Sequence, residues 1–267
     1  CLVGSEMCIR DRFMGLTIAN IGGVPLATWL SQNTSWRMAF AAISILGIIT
    51  MLALWKALPQ DHDVVKPNVA KELRVLTRAP VVLALLTTVM SAGAMFALYT
   101  YIAPSLHVFM QASPQTITLM LVLTGIGFSI GNHLGGKFAD LSLEKTLIGF
   151  LVLLMVMMLV FPVLAQTTVG AAIGLVIWGA AAFAVVPPLQ MRVMSVAADA
   201  PGLASSVNIG AFNLGNALGA FAGATVLSMQ LSYAAVSYAG AALSFMALIL
   251  VLLQMKFGLS KKACEAV

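Results

Sequence analysis

An all-α membrane protein with eight transmembrane helices is the fold class that this sequence predicts, and three observations predict it. Hydrophobic residues make up 61% of the 267 and charged residues only 9%, where soluble domains carry roughly 45–50% apolar and about 25% charged residues. A chain so poor in charge lacks the polar surface to face water on all sides, so its solvent is a bilayer. The apolar residues are gathered into runs of the length a hydrocarbon core requires, about 20 residues as helix. The basic residues fall in short connections between those runs, nearly all of them in every second connection.

Taken in order, the predicted spans are roughly 14–31, 38–57, 81–103, 116–136, 146–165, 168–189, 203–227 and 233–255. Their separators carry helix-starting chemistry: Pro80 opens the third span, Ser113-Pro114 precedes the fourth, and Pro201-Gly202 precedes the seventh. Glycine and proline inside the spans are tolerated because neighbouring helices satisfy the freed backbone groups. Lys56, Lys66, Lys71, Arg74, Arg78, Lys137, Lys145, Arg192, Lys256, Lys261 and Lys262 fall on one side of the membrane, against Arg37 alone on the other. The positive-inside rule then makes the eleven cytoplasmic and, with them, both ends of the native chain.

The net charge of +5 and pI near 9.3 do not indicate a nucleic-acid partner, since the basic residues are dispersed in loops and no binding motif accompanies them. Cys1, Cys8 and Cys264 have neither metal nor disulfide spacing, and no metal site or cofactor is expected. Residues 1–12, CLVGSEMCIRDR, resemble a translated sequencing-adapter tail and lack the order of a signal peptide. They are set aside, and Met14 is not taken as a start. The longest connection, 58–79, is also the most charged. Within it Val69 to Arg78 alternates apolar and charged residues on a helical period, which fits either a short amphipathic helix at the membrane surface or a solvated linker. It divides two spans (13–57) from a group of six (80–267).

Three stretches carry a family resemblance. Gly15 to Phe40 is similar to the fifth helix and following turn of drug:proton antiporters of the major facilitator superfamily, related to arabinose efflux permeases. Gly15, Ala19, Gly22, Gly23 and Pro25 resemble the antiporter motif, with Asn20 where that group often has proline. Gly135 to Lys145, GGKFADLSLEK, resembles the repeat copy of the superfamily's loop motif: Gly136, Asp140 and Lys145 match, while Leu141, Leu143 and Glu144 depart from it. Pro187 to Gly223 resembles the tenth and eleventh helices, most distinctively at Ala211 to Asn216. The resemblance implies the last two-thirds of a twelve-helix, six-plus-six transporter lacking its first four helices. Residues 13–57 then end the N-terminal bundle, 58–79 is the cytoplasmic linker, and 80–267 is the C-terminal six-helix bundle. Such transporters hold substrate near the bilayer midplane, between repeated bundles.

Polar groups inside spans are the informative ones, because each costs free energy unless paired or wetted. Asn208, Phe212 and Asn216 recur every fourth residue of the seventh span, beside a small-residue ridge of Gly215, Gly219 and Gly223. The asparagines fit a cavity or gate, and equally fit interhelical hydrogen bonds; the glycines suit close approach to a helix of the opposite bundle. Gly127, Gly131 and Gly135 on the fourth span suit approach to Gly15, Ala19, Gly22 or Gly23 on the first. Thr88, Ser91, Met95 and Tyr99 line one side of the third span, which the resemblance makes the cavity-lining seventh helix of the family. Phe183 and Gln190 share a face of the sixth span at a spacing of seven. Asn132 and His133 lie near the end of the fourth. A histidine titrates near neutral pH, but this one lacks a carboxylate neighbour in sequence and reads equally as interfacial. Asp140, placed after a helix end, can meet the N-terminus of another helix, and the resemblance implies that this is the one starting near Pro201.

The acids outside the tail, Asp61, Asp63, Glu72, Asp140, Glu144, Asp199 and Glu265, all fall outside the predicted spans. None of the spans offers a proton-coupling carboxylate, and the resemblance to the antiporter group implies that it sits in the first half of such a transporter. No HExxH, aspartate pair, Gly-x-Ser-x-Gly or P-loop occurs, so an enzyme and direct ATP drive are excluded as readings. The expected function is secondary active, proton-coupled efflux of small organic compounds, sugar or drug-like, by a monomer in a bacterial inner membrane. The alternative is a non-transporting helix-bundle scaffold or sensor. The fragment itself is expected to be inactive.

Overall fold

The computed structural model describes residues 22–57 and 69–256. They form eleven helices: α1 (Val24–Asn33), α2 (Trp36–Ala57), α3 (Val69–Leu76), α4 (Ala79–Tyr99), α5 (Ile102–Met110), α6 (Pro114–Leu141), α7 (Leu143–Leu164), α8 (Thr168–Ala184), α9 (Val186–Val196), α10 (Pro201–Ser228) and α11 (Tyr233–Lys256). Seven membrane-competent helices result among the described residues, with α8 and α9 counted as one span. The first of the eight predicted spans lies partly outside the described residues, and its described end is the ten-residue α1. Proline in the first turn starts α1, α4, α6, α9 and α10, where its missing N–H has no partner to lose. Side-chain caps do the same work for two starts: Ser113 Oγ accepts from Thr116 N at 3.2 Å, and Thr167 Oγ1 from Gly170 N at 3.1 Å.

Two close helix pairs organise the bundle. α6 lies on α8, and α10 lies on α4. In the first pair Gly127, Gly131 and Gly135 sit directly on the backbone of Val176, Ala180 and Ala184; a Cβ at Gly131 or Gly135 would overlap the carbonyl opposite. In the second, Gly215 meets Val89 and Ala92, Gly219 meets Gly93 and Ala97, and Gly223 carries the ring of Tyr101. Both ridges step by four residues, one face of a helix, and removing the side chain is what lets helix backbones touch in lipid. The middle helix of α4–α6–α7 thus packs on the leading helix of α8/α9–α10–α11, and the converse also holds. These partners correct the expectation from sequence: Gly127, Gly131 and Gly135 face α8 rather than the first span, and the α10 glycines face α4 rather than another bundle. Gly22 and Gly23 have no atom within 4 Å of a Cβ position. Gly15, Ala19 and Asn20 lie outside the described residues; Pro25 is in the first turn of α1.

α11 closes the bundle against α4 and α7 with three buried polar links. Ser237 Oγ donates to Met158 O at 2.5 Å, Ser244 Oγ to Leu151 O at 3.0 Å, and Gln254 Nε2 to Thr87 Oγ1 at 3.2 Å. Where lipid removes the hydrophobic drive between helices, such bonds contribute about 0.6–2 kcal/mol each. α1 packs on α2 and on α6. Most of the apolar side chains of α2, from Phe40 to Trp55, are exposed.

Two placements differ from those predicted, and one open alternative is decided. The segment read as a loop motif is helical: α6 runs through Gly136 and Asp140 to Leu141, Ser142 alone breaks the chain, and Lys145 is in the first turn of α7. The glycine pair there does not end the helix because Gly135 is held against Ala184. Arg192, counted among loop residues, lies inside α9 and is 3% exposed. The segment before Pro80 forms the helix α3, and its Val75 and Leu76 pack with Val81, Ala84, Val193 and Ala204. A purely solvated linker is therefore not what these residues form.

Candidate functional site

The longest apolar span is interrupted in its middle. Pro187 and Pro188 lack the N–H groups that would bond Phe183 O and Ala184 O, and α8 gives way to α9 at Val185. The break separates the two residues that sequence had placed on one face, and each joins a different cluster.

Phe183 ends in an aromatic group. Its ring stacks on Phe128 of α6 at 4.2 Å; Phe128 in turn lies 5.5 Å from Tyr99 and 6.1 Å from Trp178, and Tyr99 stacks on Trp178 at 6.4 Å. Such pairs contribute about 0.5–1.5 kcal/mol beyond the area they bury. Met95 is buried in the same core, and Phe212 packs against it half-buried. Trp178 is fully buried, and its indole N–H has no acceptor among the described residues.

Gln190, beyond the break, enters a polar chain that joins α9 to α10. Asn208 Nδ2 donates to Gln190 Oε1 at 2.7 Å, and Gln190 Nε2 donates to Ser205 Oγ at 2.7 Å. The two amides are nearly inaccessible, and Asn208 Oδ1 is left without a donor among the described residues. The carbonyl oxygens of Asn132 on α6 and Asn216 on α10 are in the same condition. A buried amide oxygen without a donor costs about 1–3 kcal/mol, a cost that structures keep mainly at sites which bind or move.

Two of the predicted cavity residues are turned inward. Thr88 and Ser91 are buried, and their hydroxyls donate to Ala84 O at 3.3 Å and Thr87 O at 2.8 Å on their own helix. Met95, Tyr99 and Phe183 are brought together in the aromatic core, and Gln190 and Asn208 in the polar chain. Asn216 lies two turns further along α10, half-buried. Gly136, Asp140 and Lys145 are at the far end of α6 and the start of α7, and take no part in either cluster. Asp140 is exposed and makes no ion pair among the described residues. The contact at the start of α10 is instead Arg78 Nη1 to Asp199 Oδ2, at 2.6 Å. His133 is exposed.

Sequence reasoning missed Arg192, whose guanidinium is buried in α9 with Nη1 unbonded among the described residues and feels the charge of Glu144. The signal was present: Arg192 follows Gln190 by two, in the same helix after Pro187-Pro188. It also missed Phe128 and Trp178, which a purely apolar span conceals. Among the described residues no cluster of His, Cys, Asp or Glu fits a metal ion.

Comparison with known proteins places this architecture. The family model of the Major Facilitator Superfamily matches residues 12–220. The inner membrane transport protein YdhP of Escherichia coli K12 is 60% identical over 243 residues, 91% of this chain and 62% of that protein. The putative transporter AraJ of the same organism is 31% identical, over 90% of this chain and 61% of its own length. A probable sugar efflux transporter of Helicobacter pylori J99 is 29% identical, over 88% and 60%. The chain thus spans roughly three-fifths of the length of these relatives. A crystal structure of the superfamily transporter FucP, in the outward conformation, superposes with a TM-score of 0.59 at 17% identity, covering 84% of this chain and 55% of that one; the likeness is one of fold. With a family model matching well over half of its residues, and its helices packed as in a solved member, this chain belongs to the Major Facilitator Superfamily.

Proposed function

We propose that this chain is the C-terminal six-helix bundle, residues 80–267, with the last two helices of the N-terminal bundle, residues 13–57, of a proton-coupled exporter of small organic compounds in a bacterial inner membrane. The observation that carries the reading is the interrupted α8/α9 span, with the Gln190–Asn208–Ser205 chain just past its break. Discontinuous helices supply substrate and ion sites near the midplane of transporters, because freed backbone groups and nearby amides can bind there without lipid contact. Gln190 and Asn208, with Asn216 and Tyr99, are the residues assigned to the substrate. The unpaired carbonyl of Asn208 accepts from a hydroxyl or amine.

The names of the relatives support export and the inner membrane: one is an inner membrane transport protein and another a probable sugar efflux transporter. The exposed apolar surface of α2 is consistent with further helices beside it. Protons are assigned as the coupling ion, the monomer as the working unit, and the cytoplasm as the side of both chain ends. The coupling acid is assigned to helices preceding residue 13.

The test is flux in liposomes under an imposed pH gradient, against a panel of sugars and cationic drugs. The chain extended to the length of its relatives is expected to transport, with flux that collapses with the gradient. Asn208→Ala in that longer chain is expected to lower it at least tenfold. The 267-residue chain alone is expected to match empty vesicles. Flux indifferent to the gradient, or equal in the Asn208→Ala variant, overturns the assignment.

A further inference from the structure

The end of α6 and the beginning of α7 line an open groove of about 420 Å3. Its walls are apolar. Phe138 and Leu141 come from α6, Phe150 and Leu153 from α7, and the rings of Phe138 and Phe150 lie 6.3 Å apart. Its floor opens at Gly149, where a Cβ would have no atom within 4 Å. Thr146, also in the lining, donates to Ser142 O at 2.8 Å, so its hydroxyl is already engaged.

Among the described residues one charged side chain lines the groove, Lys145. It is exposed and has no ion pair among them. A second exposed lysine, Lys137, stands one position before Phe138 on α6. Alternation of the spans brings Arg78, Lys137, Lys145 and Lys256 to the same end of the bundle, the end that meets the headgroups. Leu153 is eight residues from Lys145, about 12 Å deeper along the helix, most of the roughly 15 Å that half a hydrocarbon core provides. Past it, Val156, Val160 and Val163 continue an exposed apolar stripe along α7. A cation at headgroup level above an apolar trough that runs into the acyl region matches one chemistry, an anionic phospholipid.

We propose that the α6–α7 groove is a specific site for an anionic phospholipid, with its phosphate on Lys145 and one acyl chain lying over Gly149 between Phe138, Phe150 and Leu153. Occupation wedges lipid between the end of α6 and α7, which only Ser142 joins. The site thereby couples the lipid to the angle between two helices whose other faces are fixed by α8 and α11. The inference is independent of any substrate assignment.

The test is native mass spectrometry of the whole chain in detergent, titrated with phosphatidylglycerol, phosphatidylcholine or inorganic phosphate. The wild type is expected to retain one phosphatidylglycerol in preference to phosphatidylcholine. Lys145→Gln is expected to weaken phosphatidylglycerol about fivefold, what one basic residue contributes at an anionic surface, and to leave phosphatidylcholine unchanged. Gly149→Leu, which fills open space and so leaves the fold intact by circular dichroism, is expected to weaken both lipids. Lys256→Gln, on another helix, is expected to change neither. Undiminished phosphatidylglycerol retention in Lys145→Gln or Gly149→Leu overturns the proposal. So does displacement of the lipid by equimolar inorganic phosphate, which would reduce the site to a surface lysine.

Discussion

Asn208 donates from Nδ2 to Oε1 of Gln190 across 2.7 Å, and this bond, buried between α10 and α9, fixes the half-span that follows the proline break. Gln190 has lost the helix continuity that would otherwise orient it. Its position depends on what it meets, Asn208 on one side and Ser205 on the other.

Asn208→Ala therefore leaves Gln190 Oε1 buried without its donor. Loss of one partner of a buried bond costs about 1–3 kcal/mol. Thermal unfolding in detergent is expected to fall by that amount, and the double variant Asn208→Ala, Gln190→Leu to recover part of it. A double variant less stable than the single would mean that the amides are not partners.

Glycine substitutions separate contact from composition. Gly131→Leu drives a side chain into the backbone of Ala180, and backbone cannot move aside as a flexible side chain can. Overpacking ordinarily costs about 1–3 kcal/mol; here the expected outcome lies at or beyond the upper end, seen as a lost folded peak in size-exclusion fluorescence. Gly136→Ala, five residues on in the same helix, meets nothing within 4 Å and is expected to stabilise by about 0.5–1 kcal/mol. Equal effects at the two positions would contradict the α6–α8 packing.

Arg192 tests the buried charge. Burial is the main influence on the guanidinium and Glu144 opposes it, so Glu144→Gln is expected to lower the unfolding midpoint. Arg192→Met with Glu144→Gln removes both charges at once. Its stability is expected to exceed that of Glu144→Gln alone; additive losses would show that the two residues do not interact.

The exposed pair Arg78–Asp199 is expected to matter little. Its side chains are 53% and 59% exposed, and surface pairs contribute about 0–1 kcal/mol. Asp199→Asn should lower the unfolding midpoint by no more than that, and the difference should vanish at 1 M salt. A larger loss, insensitive to salt, would point to a role at the start of α10 beyond the ion pair.

Much of the architecture was legible because lipid imposes it. Apolar runs of fixed length, interrupted by prolines and basic connections, leave a chain little choice but to cross and recross the bilayer, and Pro80, Pro114 and Pro201 each begin the helix they were expected to begin. The small-residue ridges of the fourth and seventh spans were legible too, as ridges. Their partners were not. A glycine stripe states that a backbone comes close and leaves open which one, so Gly131 and Gly219 were aimed at the wrong neighbours. Phe183 and Gln190 illustrate a different limit: a spacing of seven means one face only in an unbroken helix, and Pro187-Pro188 break it.

The sequence by itself determined the solvent, the helical class, most span boundaries and the list of polar residues that a membrane must justify, since each follows from local composition and from the cost of bare backbone in hydrocarbon. Tertiary structure alone decided which of those residues meet. Thr88 and Ser91 turn to carbonyls of the preceding turn of their helix, Asn208 finds Gln190, Arg192 leaves the presumed loop for the interior, and the glycines of α6 and α10 each choose a helix of the other three-helix unit. The physical reason is that contact between spans depends on helix rotation and crossing, which side-chain fit sets at every interface together and no single segment encodes alone.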